Sequence, residues 1–99
     1  MRVIGLPILE SFWQSHHQAR KPFEKWIQVV KHAKWNNWSQ LKSTFGTADL
    51  VPAGNKKFVV FNVGGNKYRI VTIVNFIGEI VIVDAALTHK QYDKGKWKD

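Results

Sequence analysis

The segment from Phe58 to Val71 constrains the fold most strongly, because it has the pattern of a β-hairpin. Its two arms are rich in β-branched and aromatic residues, and Gly64-Gly65-Asn66 between them can adopt the positive φ angles of a tight hairpin turn. The loop is predicted at either Gly64-Gly65 or Gly65-Asn66, and these alternatives differ in strand register. In both cases Arg69 lies on a rigid strand.

The second half of the chain predicts a three-stranded antiparallel meander. Its strands are expected at residues 57–63, 67–76 and 79–87, with Phe76-Ile77-Gly78-Glu79 as the second hairpin turn. Pro52-Ala53-Gly54-Asn55 has turn chemistry. Arg2-Val3-Ile4 is a candidate for an additional N-terminal edge strand.

The first half of the chain has helical periodicity and predicts an antiparallel helical hairpin. The apolar face of the first helix contains Leu9, Phe12, Trp13 and His16, and that of the second contains Phe23, Trp26, Ile27, Val30 and Ala33. Pro7 and Pro22 suit the first turns of these helices, and residues 18–21 are the expected connector.

A third, short helix is predicted after Asn36-Asn37. Trp38, Leu41 and Phe45 form its buried side, and Gly46 is its expected C-cap. Helices followed by strands in so small a chain predict an α+β fold, in which two to three N-terminal helices pack on one face of a twisted antiparallel sheet.

Length and charge limit the functions that this chain can have. With 99 residues, a single domain spanning residues 1–99 is expected. Fifteen basic and 7 acidic residues give a net charge of +8, which favours a polyanionic partner such as nucleic acid. An acidic protein partner, or solubility alone, would also explain the charge.

The composition excludes several other chemistries. The chain has no cysteine, which excludes disulfides and thiolate chemistry. It has no apolar run of the roughly 18 residues that span a bilayer and no secretory signal, so we expect a cytoplasmic protein without a membrane partner. No metal cofactor is expected, because the histidines at 16, 17 and 32 do not converge with a carboxylate cluster.

Arg69 and the tail Thr88-His89-Lys90-Gln91-Tyr92-Asp93 are the candidate functional residues. Arg69 is flanked by apolar residues on its strand face, so it is either an ion-pair partner of Asp84 on the next strand or a fixed anion receptor. In a regular meander, Lys56-Lys57 would lie at the same end of the sheet as the tail. The cluster would suit an RNA phosphate, with Tyr92 or Trp97 available to stack on a base.

The phrases Leu41-Lys42 to Phe45, Phe61-Asn62-Val63-Gly64-Gly65-Asn66 with Arg69, and Thr88-His89-Lys90 with Tyr92-Asp93 together resemble the HigB-type toxins. These toxins belong to the RelE-like group of messenger-RNA interferases. The resemblance covers essentially the whole chain and implies a RelE-like α+β fold. It also implies ribosome-dependent, metal-free messenger-RNA cleavage through the RNA 2′-hydroxyl, and neutralisation by a cognate HigA-type antitoxin with a helix-turn-helix domain in a hetero-oligomeric complex.

In this scheme Arg69 is the cation that stabilises the transition state, and Tyr92, His89 and Lys90 are candidates for proton transfer. The base and the acid are not assigned separately. The expected RNA-binding residues are Lys56, Lys57, Lys67 and Lys94. Two other interpretations remain: a non-catalytic basic module that binds RNA or protein, and a ParE-like toxin that acts on gyrase.

Overall fold

The computed structural model describes residues 1–98, which form an α+β fold. The strands are β1 (Arg2–Ile4), β2 (Asp49–Ala53), β3 (Lys56–Val63), β4 (Tyr68–Asn75) and β5 (Ile80–Thr88). The α-helices are α1 (Leu6–Ser15), α2 (Arg20–His32), α3 (Trp38–Thr44) and α4 (His89–Asp93), and short 3₁₀ turns span His17–Ala19 and Lys96–Lys98. One sheet has the order β1-β5-β4-β3-β2, with only β1 and β5 parallel. The predicted α+β class and the N-terminal edge strand are confirmed.

The predicted apolar face of α2 is confirmed. The buried residues of this face are Phe23, Trp26, Ile27 and Val30. The centroid of the Trp26 ring lies 5.3 Å from that of the Phe61 ring in β3. Their spacing of three and four residues places them on one side of the helix.

The start of α2 differs from the predicted start. The helix begins at Arg20, so Pro22 does lie in its first turn, but the 3₁₀ turn at His17–Ala19 takes the place of the connector predicted at 18–21. Ala19 is fully buried at the junction, which fixes the chain there. Arg20 and Lys21 favour helix and extend it towards the N-terminus.

Helix α3 begins as predicted but ends differently. The Asn37 side chain accepts a hydrogen bond from the Gln40 N–H at 2.9 Å, which caps the N-terminus. The predicted C-cap at Gly46 is wrong, because Gly46 does not have a positive φ. Instead the Phe45 N–H donates to the Leu41 carbonyl, and the Phe45 carbonyl accepts from Ala48.

Strand β2 was missed by the sequence prediction, which assigned its Pro52-Ala53 end to a turn. It pairs antiparallel with β3, with Asp49 opposite Val60 and Ala53 opposite Lys56, and only Gly54 and Asn55 connect the two strands. Proline has no backbone N–H to donate to a neighbouring strand. Because β2 is an edge strand, Pro52 can lie in it without removing a hydrogen bond from the centre of the sheet.

The hairpin of β3 and β4 has a longer loop than either predicted two-residue turn. Val63 is the last residue of β3 and pairs with Tyr68, so the loop comprises the four residues Gly64–Lys67. The second hairpin, in contrast, closes with Asn75 opposite Ile80 and has its turn at residues 76–79, as predicted. The three predicted strands agree with β3, β4 and β5 within one residue at each end.

The two faces of the sheet are covered differently. On one face, Phe61, Ile70 and Val81 join the main core with residues of α1 and α2. On the opposite face, here called the second face, Phe58, Val60 and Val71 form a smaller cluster. The C-terminal residues Tyr92 and Trp97 pack on this cluster, and Arg69 lies on the same side. No helix within residues 1–98 is long and apolar enough to cross a membrane.

Candidate active site

Arg69 occupies the hairpin end of β4 on the second face. It lies opposite Asn62 of β3 and Leu87 of β5, and only 6% of its surface is exposed. An arginine so deeply buried needs hydrogen-bond acceptors for its guanidinium, because burial of an unpaired charge costs several kcal/mol.

The acceptors of Arg69 are all neutral. Its Nη1 donates to the backbone carbonyls of Asn66 at 3.0 Å and Tyr68 at 3.1 Å. Its Nη2 donates to Oδ1 of Asn66 at 2.7 Å and bonds to Nδ1 of His89 at 2.9 Å. The predicted alternative of an ion pair with Asp84 is wrong, because no carboxylate within residues 1–98 pairs with Arg69.

This arrangement leaves the positive charge of Arg69 without a neutralising anion. Both Nη1 bonds end on backbone carbonyls, which the strand and turn hold in place. Both Nη2 bonds end on side chains, which can rotate away. A phosphate oxygen can therefore replace Asn66 or His89 at Nη2 while Nη1 keeps the guanidinium in position, as charge-assisted recognition of an anion requires.

The hairpin turn creates the Arg69 contacts through an uncommon backbone conformation. Gly64, Gly65 and Asn66 have φ angles of 69°, 63° and 75°. Asparagine tolerates this left-handed region better than most residues, so it can follow two glycines there. Both the carbonyl and the side chain of Asn66 then contact the guanidinium. The sequence analysis predicted Asn66 only as a turn residue. Its position three residues before Arg69 is the feature of the sequence that could have indicated its contact with the guanidinium.

Helix α4 is anchored directly after β5. Oγ1 of Thr88 accepts from the Gln91 N–H at 3.1 Å, and Oε1 of Gln91 accepts from the Thr88 N–H at 2.9 Å, which is a complete capping box. The His89 N–H also donates to the Lys67 carbonyl at 2.9 Å, which ties α4 to the hairpin turn. These bonds place His89 beside Arg69.

The neighbours of His89 fix its tautomer. Nδ1 faces Nη2 of Arg69. A guanidinium nitrogen can only donate a hydrogen bond, so Nδ1 is the unprotonated nitrogen and accepts it. The proton of a neutral His89 is then on Nε2, which lies 3.5 Å from Oδ2 of Asp93. Asp93 at the end of α4, His89 at its start and Arg69 thus form a chain of contacts. Both Asp93 and His89 are about half exposed, so this contact orients the ring more than it stabilises the fold.

Tyr92 completes the site from the next turn of α4. The guanidinium carbon of Arg69 lies 5.5 Å from the centre of the Tyr92 ring, which is cation–π distance. The pKa of Tyr92 is raised above its ordinary value of 10.0, mainly by burial. The negative charges of Asp49 and Asp93 also raise this pKa, and the positive charge of Arg69 lowers it in part. At neutral pH the Tyr92 hydroxyl therefore keeps its proton and can act as a donor.

Trp97 covers Tyr92 in this structure. The two rings stack with centroids 5.2 Å apart and planes 16° apart, and Nε1 of Trp97 donates to the Tyr92 carbonyl at 3.1 Å. Trp97 also meets the edge of Phe58 in the second-face cluster. A nucleotide base that stacked on the same face of Tyr92 would have to displace Trp97.

The predicted basic residues separate into two groups. Lys67 lies in the hairpin turn, Lys90 belongs to α4, and Lys94 follows α4, so all three belong to the segments that build the Arg69 site. The ammonium of Lys67 is turned towards Oε1 of Gln18, 3.4 Å away. The Lys90 and Lys94 side chains are exposed.

The predicted placement of Lys56-Lys57 beside Arg69 is wrong. Arg69 pairs with Asn62, six positions along β3 from Lys56, which corresponds to roughly 20 Å at the rise of a strand. Lys56 instead lines a pocket with Trp97 and Lys98. Lys57 alternates with Phe58 and so points to the side of the sheet that carries the helices.

Across residues 1–98, no three histidine, aspartate or glutamate side chains form a group that could hold a metal ion. The chemistry available at the Arg69 site comes from a cation, a phenol, an imidazole and nearby ammonium groups. Such groups can bind a phosphate and move protons around it.

Comparison with known proteins places this chain within a recognised family. Residues 19–95 match the family model described as HigB_toxin, RelE-like toxic component of a toxin-antitoxin system. The chain is 28% identical over 67 residues to the mRNA interferase HigB of Escherichia coli O6:H1, which covers 68% of this chain and 64% of that relative. It is 40% identical over 53 residues to the mRNA interferase toxin HigB of Escherichia coli K12, which covers 54% of this chain and 50% of that relative. The matches thus span between half and just under two thirds of the relatives' lengths.

Proposed function

Because this chain belongs to the HigB family, the RelE-like toxic components of toxin–antitoxin systems, we propose that it is an endoribonuclease that cuts messenger RNA on the ribosome. The two HigB relatives described above are named mRNA interferases, which supports this activity. The proposal takes residues 1–99 as one toxin domain.

The observation that carries the proposal is a buried arginine without an anion, next to two groups that can transfer protons. Arg69 has only neutral acceptors, and His89 and Tyr92 both contact its guanidinium. A structural arginine at 6% exposure would be expected to have a carboxylate partner, whereas a receptor for phosphate is expected to lack one.

RNA supplies its own nucleophile for the proposed reaction. The 2′-oxygen forms a bond to the adjacent phosphorus, and the bond from phosphorus to the 5′-oxygen of the next nucleotide breaks. The products are a 2′,3′-cyclic phosphate and a 5′-hydroxyl. Negative charge grows on the phosphate oxygens in the transition state, and Arg69 is proposed to stabilise it through Nη2 and Nε.

Tyr92 is proposed as the general acid. Its raised pKa keeps the hydroxyl protonated at neutral pH, and its ring lies against the guanidinium that would bind the phosphate. The leaving 5′-oxygen would take the Tyr92 proton as its bond to phosphorus breaks. General acids of this kind typically contribute about 10²–10⁴-fold.

His89 is proposed as the general base, with Lys90 as the alternative. In the neutral tautomer Nδ1 of His89 has a free electron pair, which accepts from Arg69 when no RNA is present. When a phosphate oxygen takes over Nη2, this electron pair becomes available for the 2′-hydroxyl proton. Asp93, next to Nε2, would then stabilise the positively charged imidazolium ring.

The other basic residues are proposed to hold the RNA. Lys67 and Lys94 would bind phosphates on either side of the cut, and Lys90 would do the same where His89 is the base. Lys56 would contact more distant RNA only if the message followed the C-terminal segment. Lys57 lies on the side of the sheet opposite to Arg69, so it is not among the residues proposed to bind RNA.

The family also implies an antitoxin partner. We propose a HigA-type antitoxin with a helix-turn-helix domain, which would inactivate the toxin in a hetero-oligomeric complex in the cytoplasm. The net charge of +8 would favour both the ribosome and an acidic region of the antitoxin.

The test is to map 5′ ends on a defined message during translation in vitro, with and without ribosomes. Wild-type protein is compared with Arg69→Ala, Tyr92→Phe and the control Lys57→Ala. We expect cuts in the ribosome-bound message with the wild type and the control, and loss of cuts with the other two variants. Intact message with wild-type protein that still binds RNA would refute the enzyme and leave a non-catalytic basic binding module.

A further inference from the structure

A groove of about 480 Å³ lies between α2 and the hairpin end of β3. Its apolar walls include Pro22, Trp26, Val29 and Phe45, and Lys21 and Lys25 of α2 are its charged residues. Arg69, His89 and Tyr92 do not line it, whereas Asn62, which lies opposite Arg69, does, so the groove borders the proposed active site without including its reacting groups.

The groove lies along a free strand edge. Strand β2 pairs with β3 only as far as Val60, so Phe61–Val63 have no strand on their outer side within residues 1–98. Asn62 and Val63 both line the groove. Phe61 and Val63 are buried, at 0% and 7% exposure, whereas Asn62 is partly exposed, so a bound peptide would contact this part of β3 at Asn62.

Trp26 supplies a second sign of an absent partner. Its Nε1–H is buried and has no hydrogen-bond acceptor within residues 1–98, while Trp26 itself lines the groove. A buried donor without an acceptor costs about 1–3 kcal/mol. A carbonyl or carboxylate bound in the groove could satisfy this donor after a small shift of the wall.

We propose that this groove binds an extended acidic segment of the antitoxin. An apolar side chain of the segment would pack against the partly exposed Pro22, Val29 and Phe45, and flanking carboxylates would pair with Lys21 and Lys25. Its backbone would run past Asn62, the partly exposed residue of this part of β3. This inference rests on the antitoxin partner in the proposed function, and it assigns the surface that the partner uses.

The groove fits a peptide better than RNA. Nucleotide bases bind mainly by stacking on exposed aromatic faces, but Trp26 is only 2% exposed and its ring is covered. Apolar walls with a few charges at the rim are typical of sites for peptide side chains. The two lysines are also well placed to attract acidic segments and repel basic ones.

The test is a selection of random dodecapeptides displayed on phage, with the wild-type protein as bait. We expect enriched peptides to combine an aromatic or aliphatic residue with neighbouring Asp or Glu. Binding of these peptides should weaken roughly tenfold with Lys25→Glu, because that charge would then repel them. Lys31→Glu, an equal charge change on α2 outside the groove, should leave binding unchanged.

A second readout locates the peptide on the protein. In NMR spectra, the indole N–H resonance of Trp26 should shift when an enriched peptide is added, because its unpaired donor gains an acceptor. The inference is overturned if enriched peptides are not acidic, if both lysine variants weaken binding equally, or if the Trp26 resonance does not move. It is also overturned if single-stranded RNA displaces the peptides and depends on Lys25 in the same way.

These results are independent of the nuclease proposal. If peptides bind the groove but the protein cuts no message, the groove is retained and the enzyme is refuted. If message is cut with no acidic peptide selected, the nuclease is retained and the groove is refuted. Arg69→Ala should abolish cutting and leave peptide binding intact.

Discussion

At the scale of single residues, Arg69 is held by groups that do not neutralise it. Asn66 provides two of its four acceptors, and His89 provides another. An arginine in this state is already oriented, and a bound phosphate has to replace only side-chain contacts. Preorganised charge of this kind lowers the cost of reaching a charged transition state.

The first prediction concerns the Asn66 side chain. Asn66→Asp keeps the turn geometry, because aspartate also tolerates a positive φ, but places a carboxylate beside Nη2 of Arg69. This carboxylate should neutralise the guanidinium and lower the rate of message cleavage at least about tenfold. Single-turnover cleavage measures the effect. Asn75→Asp, in the second hairpin, makes the same charge change away from the site and should cut at the wild-type rate.

The second prediction concerns the protonation of Tyr92. Its pKa is raised, so the folded protein holds this proton more tightly than the unfolded chain does. The resulting stability is present below the unfolded pKa of about 10 and is lost as the pH rises through the folded pKa. The difference in tyrosinate absorbance between wild type and Tyr92→Phe should therefore show a midpoint above pH 10. A midpoint below pH 10 would contradict the assignment of Tyr92 as an acid that stays protonated.

The sequence predicted these residues unevenly. Arg69, His89 and Tyr92 were chosen from their chemistry, and the structure brings them together. The contribution of Asn66 was not predicted, because it depends on three consecutive left-handed residues and on a four-residue loop. The placement of Lys56 failed because the direction of β3 puts its first residue far from Arg69.

At the scale of elements, α4 is too short to be stable by itself. It has five residues, and helices of this length depend on their caps and tertiary contacts. The capping box of Thr88 and Gln91 and the bond from the His89 N–H to the hairpin turn hold it in place. The positions of His89 and Tyr92 therefore depend on Thr88.

The third prediction tests this dependence. Thr88→Ala should lower the free energy of unfolding by about 1 kcal/mol and reduce cleavage roughly tenfold or more, because α4 is no longer fixed against the hairpin. Asn37→Ala removes the cap of α3 at a comparable cost in stability but should leave cleavage unchanged. Denaturant unfolding and single-turnover cleavage separate the two effects. Equal loss of activity in both variants would mean that stability alone is responsible.

Most strand boundaries could be predicted, because β-branched and aromatic runs separated by glycine turns determine them locally. Strand β2 could not, because Pro52 is a turn residue everywhere except at a sheet edge, and edge position is a property of the whole sheet. The Gly46 prediction failed for a similar reason: the buried Ala48 closes the turn after α3 through the Phe45 carbonyl.

At the scale of the whole molecule, the net charge of +8 should dominate association with RNA. The fourth prediction is that affinity for a single-stranded RNA falls steeply with salt. Replacing one phosphate-binding lysine, such as Lys94→Gln, should reduce the slope of log affinity against log salt by about 0.7. Lys57→Gln, on the helix side of the sheet, should leave the slope unchanged. Fluorescence anisotropy measures both, and an equal effect of the two substitutions would contradict the proposed RNA path.

The charge alone could be predicted from composition, but its division between two surfaces could not. The structure separates the lysines around Arg69 from Lys21 and Lys25 on the groove of α2. One surface is proposed for RNA and the other for the antitoxin. A toxin with this arrangement could bind its inhibitor without occupying Arg69.

The most direct test of the central claim is the single-turnover rate constant for cleavage of a ribosome-bound message by wild-type and Arg69→Ala proteins. If Arg69 stabilises the transition state, its loss should lower the rate constant by about 10²–10³-fold while the variant remains folded and bound to the ribosome. An unchanged rate constant for Arg69→Ala would contradict the account and place the reaction elsewhere on the molecule.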